Sequence, residues 1–150
     1  MIQKRGRRSL RRRSVREAGA VAVEFALVLP IFLGLVLGIA EFGRAFNIQI
    51  SLSEAARQAS RYAAINCKAP YDSACNAAAI AAGKDAAPSV SLVPGNFSVT
   101  YSSGNVCSAA GNANVTINYT TPWMTGFPSL VPGMPTSLGI NSVGVMRCGG

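Results

Sequence analysis

The chain has 150 residues, 49% of them hydrophobic and 13% charged, with a net charge of +8. That length leaves room for one modest domain and an appendage. The absence of histidine excludes Ser-His-Asp and Cys-His catalysis, and no GxxxxGK[ST] spacing provides a phosphate loop.

The charge is concentrated at the start. Residues 1–19 hold Lys4, Arg5, Arg7, Arg8, Arg11, Arg12, Arg13 and Arg16 against the single acid Glu17, and the chain from Ala20 onward is nearly neutral. A nucleic-acid surface displays its basic groups on a folded face with aromatics or groove-reading polar residues among them, and this block has neither. It lies directly against a hydrophobic run, so the positive-inside rule accounts for it without further assumption, and no nucleic-acid partner is expected.

The apolar run extends from Ala20 to Ala40, interrupted only by Glu24 and Pro30. At ~1.5 Å per residue it is long enough to cross a hydrocarbon core of roughly 30 Å as one helix. Basic residues before it, with no comparable cluster after it, put the N-terminus in the cytoplasm and the remainder outside. A cleaved secretory signal is the nearest rival, with "GIA" at 38–40 as its small-residue site, but its apolar core is normally about 7–15 residues long. A carboxylate inside such a run is expensive, so Glu24 requires a purpose; the plainest is that it lies near the cytoplasmic end and reaches for the interface.

Helical spacing continues through "EFGRAFNIQISLSEAARQASRYAAI", residues 41–65, where Phe42, Ala45, Phe46, Leu52, Ala56, Ala59 and Ala63 recur and no proline intervenes. Glu41 with Arg44, and Glu54 with Arg57, stand three apart and are expected to meet on the solvent side. One helix from about residue 20 to about residue 65 is thus expected, roughly 70 Å long, half in lipid and half in water. Its apolar stripe covers the chain's own domain in part. The rest is available to other copies or partners.

From residue 66 the composition turns to Ala, Gly, Ser, Asn and Pro, with turn signals at "KAPYDS", "VPGN", "SSGN" and "VPGMP". "NAAAIAAGKDAA", 76–87, reads as a short helix ending near Gly83. Four runs read as strands: "VSLV" from Val90, "FSVTY" from Phe97, "ANVTINYT" from Ala113 and "INSVGVM" from Ile140. The expectation is an α+β fold in which the long N-terminal helix packs on a small antiparallel β-sheet.

All four cysteines, Cys67, Cys75, Cys107 and Cys148, fall on the expected outer side. An even count in a small loop-rich domain outside the cytoplasm argues for two disulfides, and four cysteines allow three pairings among which sequence alone does not choose. The reading leans to Cys67 with Cys75, closing a loop after the long helix, and Cys107 with Cys148, tying the last strand to the sheet. Zinc would call for close CxxC pairs or histidines, and a redox thiol for a CxxC motif; neither is present. Asp72 and Asp85 are the only acids beyond residue 66 and sit in polar or helix-end surroundings, so a paired-carboxylate mechanism is not expected. No metal, cofactor or catalytic residue is assigned. The three N-x-[ST] sequons, at Asn96, Asn114 and Asn118, are common by chance, and two lie in an expected strand.

The order of these features, a basic leader, Gly19, then Ala20-Val21-Ala22-Val23-Glu24-Phe25 opening an apolar helix, resembles the processing site of type IV pilins and pseudopilins. There a prepilin peptidase cuts after a glycine and the fifth mature residue is glutamate. The G-x-x-x-x-E-F form, with "GAVAVEFALVLPIFLGLVLGIAEFGRAF" and the later "AARQASRYAA", is similar to the N-terminal region of the TadE-like family, minor pseudopilins of the tight-adherence (Tad, Flp-type) pilus. The resemblance covers roughly residues 18–65; the sheet-forming remainder is only loosely similar.

What the resemblance implies is a pilin-like architecture: a basic cytoplasmic leader over 1–19, a transmembrane half-helix over 20–40, its amphipathic continuation over 41–66, and an extracytoplasmic small α+β domain with disulfides over 67–150. It implies cleavage between Gly19 and Ala20, a processing and assembly role for Glu24 and Phe25, and a helix kink at Pro30. The implied partners are a prepilin peptidase, other pilins or pseudopilins, Tad inner-membrane assembly proteins and membrane lipid. The implied location is the bacterial inner membrane, single-pass, or the pilus itself. An alternative from another class is an uncleaved, membrane-anchored extracellular binding module. The four cysteines and low charge of the outer domain are not features the resemblance requires, which leaves that domain's partner particular to this chain.

Overall fold

The computed structural model describes residues 8–126 and 132–149, with side chains from residue 19 onward. Lys4, Arg5 and Arg7 of the basic leader, and the first residue of the "VPGMP" turn, lie outside the described residues. Helix α1 spans Arg8–Asn66, α2 spans Ser73–Asp85, and a 3-10 turn at Pro94–Asn96 leads into β1 (Phe97–Tyr101), β2 (Asn112–Pro122) and β3 (Ser137–Arg147). The fold is α+β: a long N-terminal helix and a three-stranded antiparallel sheet of order β1-β2-β3. The chain divides into two compact units, Met1–Ala40 and Glu41–Gly150.

The first unit is helical from Arg8, earlier than expected. The arginines ahead of Gly19 are good helix formers and no proline precedes Pro30, so nothing stops the helix from starting there. It continues through Pro30. No side chain between Gly19 and Ala40 is buried.

The second unit has a core, and α1 supplies one wall of it. Ile48, Leu52, Ala55, Ala56, Ala59, Ala63 and Ala64 are buried at successive turns of one helix face. Most are alanines, which brings other backbone close. Gly144 on β3 lies against the helix so tightly that a Cβ there would overlap the Ala56 carbonyl. Gly83 does the same for α2, where an added Cβ would stand 3.0 Å from the Ala55 carbonyl oxygen and from the Ala59 Cβ. The expected short helix is present and ends at Asp85, two residues past Gly83. Glycine here is a contact residue inside α2, which runs on to Asp85 and is capped at its start by the Asp72 carboxylate accepting the Ala74 N–H at 2.8 Å.

The sheet turns one face to this wall. Val99 pairs with Val115 and Phe97 with Ile117 across β1 and β2, and Val115 pairs with Gly144 and Ile117 with Ser142 across β2 and β3. Val115 and Ile117 are completely buried, whereas Val143 and Val145 on the opposite face are exposed. Three of the four expected strands are present. "VSLV" is not a strand: Val90 and Leu92 are buried, but their N–H groups donate to Ala87 and Val90 carbonyls in local turns. Packing of an extended segment has produced the alternating pattern there without a ladder.

Candidate processing and assembly segment

Gly19 lies within α1, and a Cβ built on it would find nothing within 4 Å. Ala20, Glu24 and Phe25 follow on the same helix, all exposed, Phe25 by 63%. Glu24 has no hydrogen-bond or ion-pair partner among the described residues, and the side chains around it are apolar. A lone carboxylate and fully displayed Val21, Val23, Leu27, Ile31 and Leu35 form a surface that water does not suit. This helix is long and apolar enough to cross a membrane. Gly34 and Gly38 form a small-xxx-small pair with open space at both positions, the arrangement that lets a second helix approach closely in lipid.

The display does not end with the first unit. Within the second, Phe42, Phe46 and Ile50 stand exposed on the helix face opposite Ile48 and Leu52, Phe42 by 80%. Their spacing of four places them in one row.

The four cysteines are joined as Cys67–Cys75 and Cys107–Cys148, with Cα atoms 5.6 and 5.4 Å apart. All four sulfurs are thereby oxidised. The first bridge fastens the end of α1 to α2. The second fastens the end of β3 to the segment before β2, where the Cys107 N–H also donates to the Cys67 carbonyl at 2.8 Å and so draws the two bridges together.

Glu41 and Arg44 take partners other than the expected one. Glu41 does not meet Arg44 on the solvent side. Glu41 is buried, and its carboxylate accepts the Thr125 N–H at 2.6 Å. That backbone hydrogen bond is the main reason the carboxyl is held below its ordinary range. Arg44 donates to the Pro122 carbonyl at 2.9 Å and to the Thr121 hydroxyl at 3.0 Å. The two side chains thus clasp the chain leaving β2, and with Trp123 and Leu138 they line a small recess against Ala45 and Ile48. Glu54 likewise takes Gln58 as its partner, at 3.2 Å, in place of Arg57. The sole signal for the clasp was that Glu41 and Arg44 stand where the apolar run ends, opposite no partner that local spacing could name.

A second recess, open to solvent, is lined by Tyr71, Asn76, Thr100, Tyr101 and Asn105. The Tyr101 hydroxyl donates to the Asn76 side-chain oxygen at 2.6 Å, and burial raises its pKa.

Neither the curated proteins nor the solved structures contain a match to this chain. A family model does match, over residues 19–61, and its description is TadE-like protein. That stretch begins at the glycine of the G-x-x-x-x-E-F sequence and ends within the alanine-lined wall of the second unit. The exposed apolar helix and its continuation are therefore similar to the TadE-like family over residues 19–61.

Proposed function

We infer that this protein is a minor pseudopilin or assembly component of a Tad-type pilus, cut after Gly19 by a prepilin peptidase and assembled through its N-terminal helix, with no catalysis of its own. The observation that carries the reading is the TadE-like match falling on a helix whose large side chains from Val21 to Ile39 find no cover among the described residues. Lipid covers that surface before assembly, and the helices of pilins or other pseudopilins cover it afterwards. The exposed row of Phe42, Phe46 and Ile50 extends the same surface beyond the length a bilayer needs, which a lipid anchor alone would not require.

Cleavage creates an α-amine on Ala20, ordinarily with a pKa of about 7.7–8 and so largely charged near neutrality. The carboxylate of Glu24 in a neighbouring subunit neutralises that amine. Such a pair acts as a register device, setting the axial stagger of the helices, more than as a source of net stability. The scissile bond lies in helix in the free chain, so the peptidase must open it; glycine lowers that barrier, being roughly 1 kcal/mol poorer in a helix than alanine. In the membrane the chain is single-pass, with the basic leader in the cytoplasm and the second unit outside the inner membrane.

Mass spectrometry of the mature N-terminus, on protein from native membranes or sheared pili, tests this. A chain beginning at Ala20 is expected. One beginning at Met1 would overturn processing and favour an anchored binding module, and one beginning at Glu41 would mean that the apolar run is only a signal peptide.

A further inference from the structure

The segment that links β2 to β3 is unusual for an exposed connection. From Pro122 to Thr136 it reads "PWMTGFPSLVPGMPT", without one charged residue, and it holds the chain's only tryptophan. Met124 is 67% exposed and Met134 37% exposed. The Trp123 ring is partly exposed and its indole N–H donates to the Pro135 carbonyl at 2.9 Å, which joins the two ends of the segment. Residues displayed to water beside a sheet normally include Asp, Asn, Lys or Glu, and the described residues here display Met124 and Met134 instead.

Its attachment point supplies the reason. Glu41 and Arg44 hold this segment through the Thr125 N–H, the Pro122 carbonyl and the Thr121 hydroxyl. Glu41 is the residue that immediately follows the apolar run Ala20–Ala40. A run of that length spans the hydrocarbon core, so the turn holding Glu41 and Arg44 emerges in the headgroup layer. Both polar side chains are held by protein groups at that level, beside a partly exposed indole and an exposed thioether.

We propose that Trp123 and Met124 form a lipid-contacting foot of the outer domain, seated in the headgroup layer of the same bilayer that the N-terminal helix crosses. Tryptophan has an apolar body and one N–H donor, which suits it to that layer, and here the N–H already has an acceptor in Pro135. Neutrality of the whole segment lets it approach lipid without desolvating a charge. The foot fixes the height of the outer domain above the membrane. Extraction of the subunit toward a fibre must then withdraw the foot from lipid as well as the helix.

The inference rests on the reading of residues 20–40 as a membrane span, and the test separates the two. The full chain is reconstituted in phosphatidylcholine vesicles whose acyl chains carry bromine either near the headgroup or near the methyl end, and the emission of Trp123 is followed. A second protein, Phe32→Trp with Trp123→Phe, reports the span. The expected result is strong quenching of Trp123 by the shallow bromines and little by the deep ones, with the Phe32→Trp probe quenched more by the deep. If Trp123 is unquenched by either lipid while the Phe32→Trp probe is quenched, the foot is overturned and the span stands; blue-shifted emission in that case means that protein covers the indole. If neither probe is quenched, the span itself fails and the foot with it.

Discussion

The two halves of α1 obey the same backbone rules and solve opposite problems. From Gly19 to Ala40 the helix is large-residued and wholly displayed; from Glu41 to Asn66 its inner face is alanine-rich and covered. Size explains the difference. A small domain can be closed over a helix only if the strands come near the helix backbone, and Ala55, Ala56 and Ala59 permit that where Leu or Phe would not. The first half has no such partner among the described residues, and its bulky Val, Leu, Ile and Phe side chains stay exposed. One half is finished by intramolecular packing, and the other is left exposed among the described residues.

The comparison breaks most readily at Gly144. Gly144→Val puts atoms where the Ala56 carbonyl lies, and since neither backbone can yield cheaply, the loss should reach or exceed about 3 kcal/mol and collapse the second unit. Loss of cooperative thermal unfolding, followed by near-ultraviolet circular dichroism of the full chain in detergent, checks it. A fully folded variant would mean that α1 and β3 are not in close contact.

The bridges come next. In the chain-entropy account, Cys107–Cys148 closes a loop of 41 residues and Cys67–Cys75 one of 8. Replacing each pair by serine should therefore cost about 4 and about 2.5 kcal/mol respectively. Denaturant midpoints of the two double variants test the order, and equal losses would indicate that loop length does not govern them.

Leu52→Ala sharpens the contrast between the halves. Leu52 is completely buried, and the cavity left behind should destabilise the second unit by about 3 kcal/mol. Phe32→Ala, in the displayed half, should change the same transition by less than about 0.5 kcal/mol, because no intramolecular contact is removed. A large effect at Phe32 would show that the first half is covered after all.

The smallest effect is expected from acid. The Glu41 carboxyl is held below its ordinary range chiefly by the Thr125 N–H. A carboxyl depressed on folding stabilises the fold above its unfolded pKa and loses that contribution as pH falls through the folded one. The tie between α1 and the β2–β3 segment is thus intact at neutrality and weakens only in acid, below the usual carboxylate range. A small acid-induced fall in melting temperature that disappears in Glu41→Gln would confirm the assignment.

Much of this organisation is legible in residue order because it depends on periodicity. A 3.6-residue repeat with no proline from Ile31 to Ala69 points to the helix, and two-residue alternation in "FSVTY", "ANVTINYT" and "INSVGVM" points to strands that the structure contains. The displayed half is legible for the same reason: a run of apolar residues on every side of a helix has no inner face to hide them.

Long-range partners were beyond that reach. "VSLV" alternates as a strand would, but no described segment pairs with it. Glu41 has an arginine three residues on, but its partner is Thr125, 84 residues away. By itself the sequence determined that there is one long helix, that its first half has no internal cover, and that the remainder folds as helix and sheet. Only the tertiary structure decided which of three disulfide pairings forms, why Gly83 and Gly144 are glycines, and what Glu41 and Arg44 hold, because each of these depends on which surfaces meet once the chain closes.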